Sequence, residues 1–380
     1  MPKLTSAPSR LHQANRARAS RPPLVLFATG STGGHVTPAL AVAEALNASG
    51  QPVRTVFCGP AGGVAERMVS ATGGAFVPLE IHPLRGEGAV RLLRGIARLP
   101  EGAHRSFWLL RSLRPDLVVG TGAHTSGPLV ALAAVQRIPT LIFEANVDVG
   151  LANRWLGPLV HGVAVAWPQT LASFPGRGFV CGWPVGRAIR ETLPQDTSAS
   201  DRFHVLILGG SAGASALDRA VRDALPHVGS LSRSLSVVHQ ASLGEVAVLR
   251  EHYRAAGVEA RVEPFFPDLV EHYVRASLVI TRAGATTLAE LAAVGRPAIL
   301  VPLSAAGNHQ QSNAAAWEDA GCARCIQLNE LSGEALAASV LALAQDRAAL
   351  KRMGEAARSW HRPDAAARIA EWCRLAMRIQ

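Results

Sequence analysis

A chain of 380 residues exceeds what one core usually organises, so two domains are expected, and 48% hydrophobic residues supply apolar surface for both without any run long enough to span a membrane. The net charge of +10 is uneven: 17 basic and 8 acidic residues run through Pro184, a balance of +9, and 21 basic and 20 acidic residues follow, a balance of +1. That asymmetry predicts a polyanionic partner surface, and with 5% aromatic residues and no nucleic-acid-binding motif it points away from nucleic acid and towards anionic lipid.

Residues 1–23 carry Lys3, Arg10, Arg16, Arg18 and Arg21 with no acidic residue and no apolar stretch of the secretory kind. They read as a disordered basic tail, with an organellar transit peptide as the alternative. Residues 24–46 then run LVLF, ATGSTGGH, VTPALAVAEAL: a short apolar strand, a glycine turn and an alanine-rich helix. Glycines let a backbone approach an anion while the amides opening the next helix point at it, so Thr32, Gly33 and Gly34 form a candidate phosphate cradle. His35 stands at the mouth of that helix, where an imidazole suits proton transfer near neutral pH. The alternative is a glycine turn that binds nothing.

Apolar runs at 53–57, 75–79, 117–119, 140–143 and 163–166 alternate with helical stretches, the pattern of a parallel sheet. The pattern breaks over 182–200, where Trp183-Pro184, Pro194 and a polar run suggest a linker. It restarts with a strand at 204–208, a second glycine turn (GGSAGAS) and a helix at 216–225, followed by strands at 235–238, 278–281 and 298–301. Residues 331–380 read as helical. Two parallel-sheet domains facing across a cleft place the chemistry at the carboxyl ends of their strands. The five cysteines are scattered, an odd number that fits a reducing compartment, and the lone CxxC at Cys322 and Cys325 carries no metal or redox signature.

Residues 281–313 read TRAGATTLAELAAVGRPAILVPLSAAGNHQQSN. A strand ends near Arg282, Gly284 turns the chain, and a helix opens near Thr286 with Glu290 one turn in. A carboxylate there suits two vicinal hydroxyls, as on a ribose, while the helix amides face phosphate. His309, Gln310 and Gln311 open another helix whose paired amides suit sugar hydroxyls. The alternative makes Glu290 a helix-capping acid and the glutamines solvated.

GSTGGHVTPALAVAEAL, GTGAHTSGP at 120–128, GLANRWL at 150–156, GGSAGA at 209–214, RAGATTLAELAAVGRPAILVP and NHQQSNA occur in the order and spacing of the MurG family, which the chain resembles over residues 24–370. These bacterial transferases add N-acetylglucosamine from its UDP donor to lipid I, making lipid II for peptidoglycan. The resemblance implies an α/β GT-B fold: an acceptor and membrane-facing domain over 24–185, a linker over 186–200, a UDP-sugar-binding domain over 201–362 and a C-terminal helix over 363–380 packing back on the first domain. It implies no cofactor and no Asp-X-Asp metal site. By it, Glu290 holds the ribose, Ala285, Thr286 and Thr287 lie along the phosphates, Ser211 touches the diphosphate, and Gln310 and Gln311 contact the donor sugar. Thr32, Gly33, Gly34, Asn146 and Arg187 join the donor site, and His35, Glu144 and Asn146 form the catalytic group, with His35 the candidate base. The implied partners are UDP-N-acetylglucosamine, a polyprenyl-linked acceptor and the anionic cytoplasmic face of the cell membrane, where the protein would be peripheral.

The chain also departs from the family pattern. Phe143-Glu144-Ala145-Asn146 stands for His-Glu-Gln-Asn, Gly182-Trp183-Pro184-Val185-Gly186-Arg187 for Gly-Asn-Pro-Val-Arg, Ala212 for a glutamine and His124 for a tyrosine. These departures leave two alternatives: a paralogue serving another acceptor, and a silent UDP-sugar binder. Between Arg85 and Arg114, seven arginines face Glu87 and Glu101 among Leu92, Leu93, Ile96, Leu99, Phe107, Trp108, Leu109 and Leu110. Arg91, Arg94 and Arg98 share one helical face opposite Leu92, Ile96 and Leu99, as on a basic helix lying on lipid, although an ordinary surface helix has the same pattern.

Overall fold

The structure, a computed structural model, describes residues 21–48, 50–81, 99–122, 126–192, 202–209, 215–229, 231–266, 269–303 and 308–378. The expectations placed on the basic tail up to residue 20, on Arg91, Arg94 and Arg98, on His124, and on Ser211 and Ala212 lie outside them.

The first half alternates β1 (Leu24–Ala28), α1 (Gly33–Ala48), β2 (Arg54–Gly59), α2 (Val64–Ala71), β3 (Ala75–Pro78), α3 (Leu99–Leu113), β4 (Leu117–Gly120), α4 (Gly127–Val135), β5 (Thr140–Glu144), α5 (Leu151–Leu156), β6 (Gly162–Val165) and β7 (Gly178–Val180). Its seven strands form a parallel sheet in the order β3-β2-β1-β4-β5-β6-β7. Every residue of β1, β4, β5 and β6 is buried, as expected of a sheet with helices on both faces. Val25 and Phe27 pack towards α1, while Leu24, Leu26 and Ala28 pack with Leu110 of α3, Leu129 and Val130 of α4 and Leu156 of α5.

The short α6 (Arg187–Arg190) leads to the second half: β8 (Phe203–Leu208), α7 (Ser215–Ala224), β9 (Leu235–Gln240), α8 (Val246–Ala255), β10 (Glu259–Glu263), α9 (Leu269–Arg275), β11 (Leu278–Thr281), α10 (Ala285–Val294), β12 (Ala298–Leu300), α11 (His309–Asp319), β13 (Ala323–Cys325), α12 (Gly333–Gln345), α13 (Arg347–Ser359) and α14 (Ala365–Arg378). Its parallel sheet has the order β10-β9-β8-β11-β12-β13. Val205 and Ile207 face α7, α8 and α12. Leu206 and Leu208 face the opposite way, into a core that runs on through Tyr273 of α9, Leu288 of α10 and Trp317 of α11 to the first half.

The chain end crosses back. The helix α14 packs on α1, where the Arg374 guanidinium donates to the Leu46 carbonyl, and Trp372 stacks on Phe179 with ring centroids 6.4 Å apart. Gly162 makes room for that indole: a Cβ there would lie 2.3 Å from the ring.

Candidate active site

In each sheet the chain winds outwards from two central neighbours, β1 beside β4 and β8 beside β11, and crevices open where the winding direction reverses. The loop after β1 opens α1 and the loop after β11 opens α10. These two helix openings meet. The Thr286 hydroxyl, on the second residue of α10, donates to the Gly34 carbonyl, on the second residue of α1, at 3.3 Å. A Cβ on Gly34 would stand 3.0 Å from that hydroxyl oxygen, so the glycine permits the approach. Pro38 permits the bond: four residues beyond Gly34, it has no N–H to give that carbonyl, which is left for the other domain.

On the α1 side, Thr32 Oγ1 lies 2.9 Å from His35 Nδ1, and the His35 amide donates to the Thr32 carbonyl at 3.1 Å. The imidazole is half-buried, its Nδ1 fixed by Thr32. On the α10 side, Gly284 precedes the helix in an extended conformation and supplies no side-chain cap, which suits the amides at Ala285, Thr286 and Thr287 to an anion. Arg282 stands half-buried just ahead, its guanidinium pKa lowered by burial. Glu290 lies further along α10, and the Tyr273 hydroxyl donates to its Oε2 at 2.8 Å. Burial pushes the Glu290 carboxyl up to about 7, against the opposing effect of that hydrogen bond.

Glu144, at the end of β5, is buried at 2% exposure and fully engaged. Its Oε1 accepts from the Asn146 amide at 3.0 Å and Asn146 Nδ2 at 3.1 Å; its Oε2 accepts from the Gly150 amide and Asn153 Nδ2, both at 2.9 Å. The carboxylate therefore ties the turn after β5 to the start of α5. Above this turn sits Asn313 of α11, wholly buried: its Oδ1 accepts from the Val147 amide at 3.0 Å, and its Nδ2 donates to Asn146 Oδ1 at 3.1 Å and to the Ala283 carbonyl at 3.2 Å. The Ser312 hydroxyl donates to Asp148 beside it. One turn earlier, Gln310 uses its side-chain oxygen on the Leu303 amide at 3.0 Å, which leaves its NH₂ as the group to offer a ligand, and Gln311 is half-buried next to it.

The structure thus brings His35, Thr32, Gly33 and Gly34 against Thr286, and Asn146 against α11. No hydrogen bond or ion pair among the described residues joins Arg187 to this group, although its helix α6 packs against α10. That guanidinium is exposed, bound to both carboxylate oxygens of Glu191 at 2.8 and 3.0 Å and lying 3.9 Å from Glu44 of α1. Asn313, Asn153, Tyr273 and Arg282 were not singled out as site residues by sequence reasoning. The second NHQQSN residue triplet held the signal for Asn313, since a buried-register asparagine one helical turn from paired glutamines shares their face. No group of three or more potential metal ligands occurs among the described residues.

The profile of the glycosyltransferase family 28 N-terminal domain matches residues 25–165, and that of the family 28 C-terminal domain matches residues 204–369. A protein of Anaeromyxobacter sp. (strain Fw109-5), named UDP-N-acetylglucosamine--N-acetylmuramyl-(pentapeptide) pyrophosphoryl-undecaprenol N-acetylglucosamine transferase, is 39% identical over 351 residues, covering 92% of each chain. A Myxococcus xanthus (strain DK1622) protein of the same name is 37% identical over 351 residues and likewise covers 92% of each. The crystal structure of Acinetobacter baumannii MurG superposes with a TM-score of 0.75 at 28% identity, covering 93% of this chain and 99% of that one. With both of its domain profiles matched in order, and a GT-B architecture of two parallel-sheet domains, the chain belongs to glycosyltransferase family 28, in its MurG group.

Proposed function

We infer that the protein transfers N-acetylglucosamine from UDP-N-acetylglucosamine to the MurNAc-pentapeptide carried on undecaprenyl pyrophosphate (lipid I), forming lipid II for peptidoglycan. The observation that carries this reading is the meeting of the two helix openings at Gly34 and Thr286, in a chain whose relatives bear that activity as their name. An anionic leaving group on α10 and a nucleophile beside α1 would there be within one bond of each other.

In this reading Glu290 accepts hydrogen bonds from the ribose hydroxyls, the amides at Ala285, Thr286 and Thr287 hold the diphosphate with Ser211, and Arg282 adds positive charge. Gln310 and Gln311 address the sugar. The acceptor oxygen attacks the anomeric carbon as the bond to UDP breaks, the electron pair leaves on the diphosphate, and configuration inverts. If Nδ1–H of His35 is donated to Thr32, the unprotonated Nε2 takes the acceptor proton. The helix amides and Arg282 stabilise the charge that develops on UDP without a metal. Glu144, with all its contacts made inside the protein, and Asn146 hold the turn on which the acceptor lies. Arg187, engaged by Glu191 and Glu44, secures the passage between domains rather than the donor.

The protein is assigned a peripheral position on the cytoplasmic face of the membrane. No helix among the described residues is long and apolar enough to cross one. The helical layer of α3 and α5 exposes Phe107, Trp108, Leu151 and Trp155, with Arg111 and Arg154 exposed beside them, a combination suited to an anionic lipid surface. Binding to vesicles containing phosphatidylglycerol should weaken with salt and fall further in Trp108→Glu; binding that ignores both would remove the assignment.

The decisive experiment is UDP release from UDP-N-acetylglucosamine with a soluble lipid I analogue, with controls lacking acceptor or carrying UDP-glucose. Acceptor-dependent release with a disaccharide product is expected. UDP binding without turnover would favour a second reading, the same donor on another acceptor. Its support is the end of β5 and the turn after it, where Phe143 is buried in the strand and the Ala145 carbonyl is occupied by Trp167 Nε1 at 3.2 Å and Trp183 Nε1 at 2.9 Å. Absence of UDP binding would remove the donor site itself.

A further inference from the structure

Glu290 alone does not make a ribose clamp. A carboxylate at the side of a helix has a broad terminal torsion, and its two oxygens serve two hydroxyls only if the plane of the group is fixed. What fixes it lies on a different helix. The Tyr273 side chain of α9 is completely buried, and its hydroxyl donates to Glu290 Oε2 at 2.8 Å. Burial and the neighbouring carboxylate hold the phenol protonated, so it remains a donor throughout the neutral range.

Tyr273 is itself anchored. Arg296, buried at 5% exposure just past α10, donates through Nε to the Tyr273 carbonyl at 3.1 Å and through Nη2 to the Val274 carbonyl at 2.5 Å. The guanidinium satisfies two carbonyls near the C-terminal end of α9 and ties that helix to the segment following α10. The phenol thus reaches Glu290 from a frame locked to Glu290's own helix.

We propose that Tyr273 is the positioning residue for Glu290, and that the Arg296–Tyr273–Glu290 chain makes the site selective for ribonucleoside over 2′-deoxyribonucleoside diphosphates. The proposal rests on the ribose role given to Glu290 above. With one oxygen oriented by the phenol, the carboxylate presents its remaining acceptor positions to both the 2′- and 3′-hydroxyls. A freely turning carboxylate would meet one hydroxyl well and gain little from the second.

The test compares UDP with 2′-deoxy-UDP by calorimetry on the full chain, as wild type, Tyr273→Phe and Glu290→Gln. Wild type should prefer UDP by about tenfold or more, the worth of a charge-assisted hydrogen bond. Tyr273→Phe should lose most of that preference by weakening UDP alone, with 2′-deoxy-UDP affinity within about twofold of wild type, because only the carboxylate's aim has changed. Equal weakening of both ligands, or an undiminished preference, overturns the proposal. A wild type that binds UDP without preferring it overturns the ribose role of Glu290 as well, so the two failures are distinguishable.

A second measurement needs no substitution of Tyr273. The chain has 2 tyrosines, Tyr253 and Tyr273, so uniform 3-fluorotyrosine labelling gives two fluorine signals, and Tyr253, bonded to His239 in the other core, serves as an internal control. UDP should shift the Tyr273 signal and leave that of Tyr253 in place, and 2′-deoxy-UDP should shift it less. Identical shifts with the two ligands would overturn the proposal.

Discussion

Two carboxylates of this site, one buried and one partly so, are held in opposite ways. Glu144 receives four hydrogen bonds, two of them from backbone amides, so both of its oxygens are met by donors within the protein. Replacing it with glutamine turns an NH₂ towards at least one of those donors, and a destabilisation of about 2–4 kcal/mol is expected, read as a fall in chemical-denaturation midpoint. Glu290 receives one bond from Tyr273 and is raised by burial from 4.5 to about 7. The folded protein therefore holds this proton more tightly than the unfolded chain does. Its stabilising contribution is complete below the ordinary carboxylate value and is lost as pH rises from about 4.5 through about 7. Ribose hydroxyls need the ionised form, so ligand binding runs the other way. UDP affinity should climb between pH 6 and pH 8, approaching about tenfold per unit on the acid side. Calorimetry across that range should show the climb in wild type and a flat profile in Glu290→Gln; a flat wild-type profile would mean that Glu290 is not the ribose acceptor.

At the scale of elements, a proline inside a helix has been put to use. Pro38 in α1 forgoes the bond to Gly34, at an intrinsic cost of about 3 kcal/mol in a helix interior, and that carbonyl then accepts from Thr286 across the cleft. Pro38→Ala restores a donor within α1, so the variant should melt higher yet turn over more slowly, the carbonyl having been reclaimed. Gly34→Ala should also slow turnover, because its Cβ would press on the Thr286 hydroxyl at 3.0 Å. A thermal scan beside a steady-state assay separates the two effects, and unchanged turnover in both variants would dismiss the contact. The glycine-turn units were legible in the sequence because strand, turn and helix each leave a local pattern. Two strands were not. β10 reads EARVE with charged residues exposed and β7 reads GFV, three residues only partly buried; both lie at sheet edges, where no buried apolar run marks a strand. Site residues followed the same division. His35 and Glu290 sit beside glycine turns, whereas the roles of Asn313 and Tyr273 come from partners brought close only by folding.

For the whole molecule, transfer requires that two domains hold their substrates in register. The apolar core is continuous between them, and Trp167 packs on Trp183 and Trp360 at 4.6 and 4.8 Å, which gives the junction mass but little direction. Direction comes from Asn313. One carboxamide joins the turn after β5 to the loop after β11, using its oxygen once and its NH₂ twice, with both domains among its partners. Asn313→Ala would leave the Val147 amide and the Ala283 carbonyl unmet, costing about 1–3 kcal/mol. If that cost falls on the closed arrangement, turnover should drop by about ten- to a hundredfold, while UDP, which the proposed reading puts mainly on the second domain, should keep its affinity within about twofold. Asn313→Asp should be worse still, since a carboxylate has no proton for the Asn146 oxygen or the Ala283 carbonyl and repels both. Steady-state kinetics paired with UDP calorimetry decides the matter: a parallel loss of affinity and turnover would place Asn313 in the donor pocket, and a loss of turnover alone would make it the residue that sets the two domains in register.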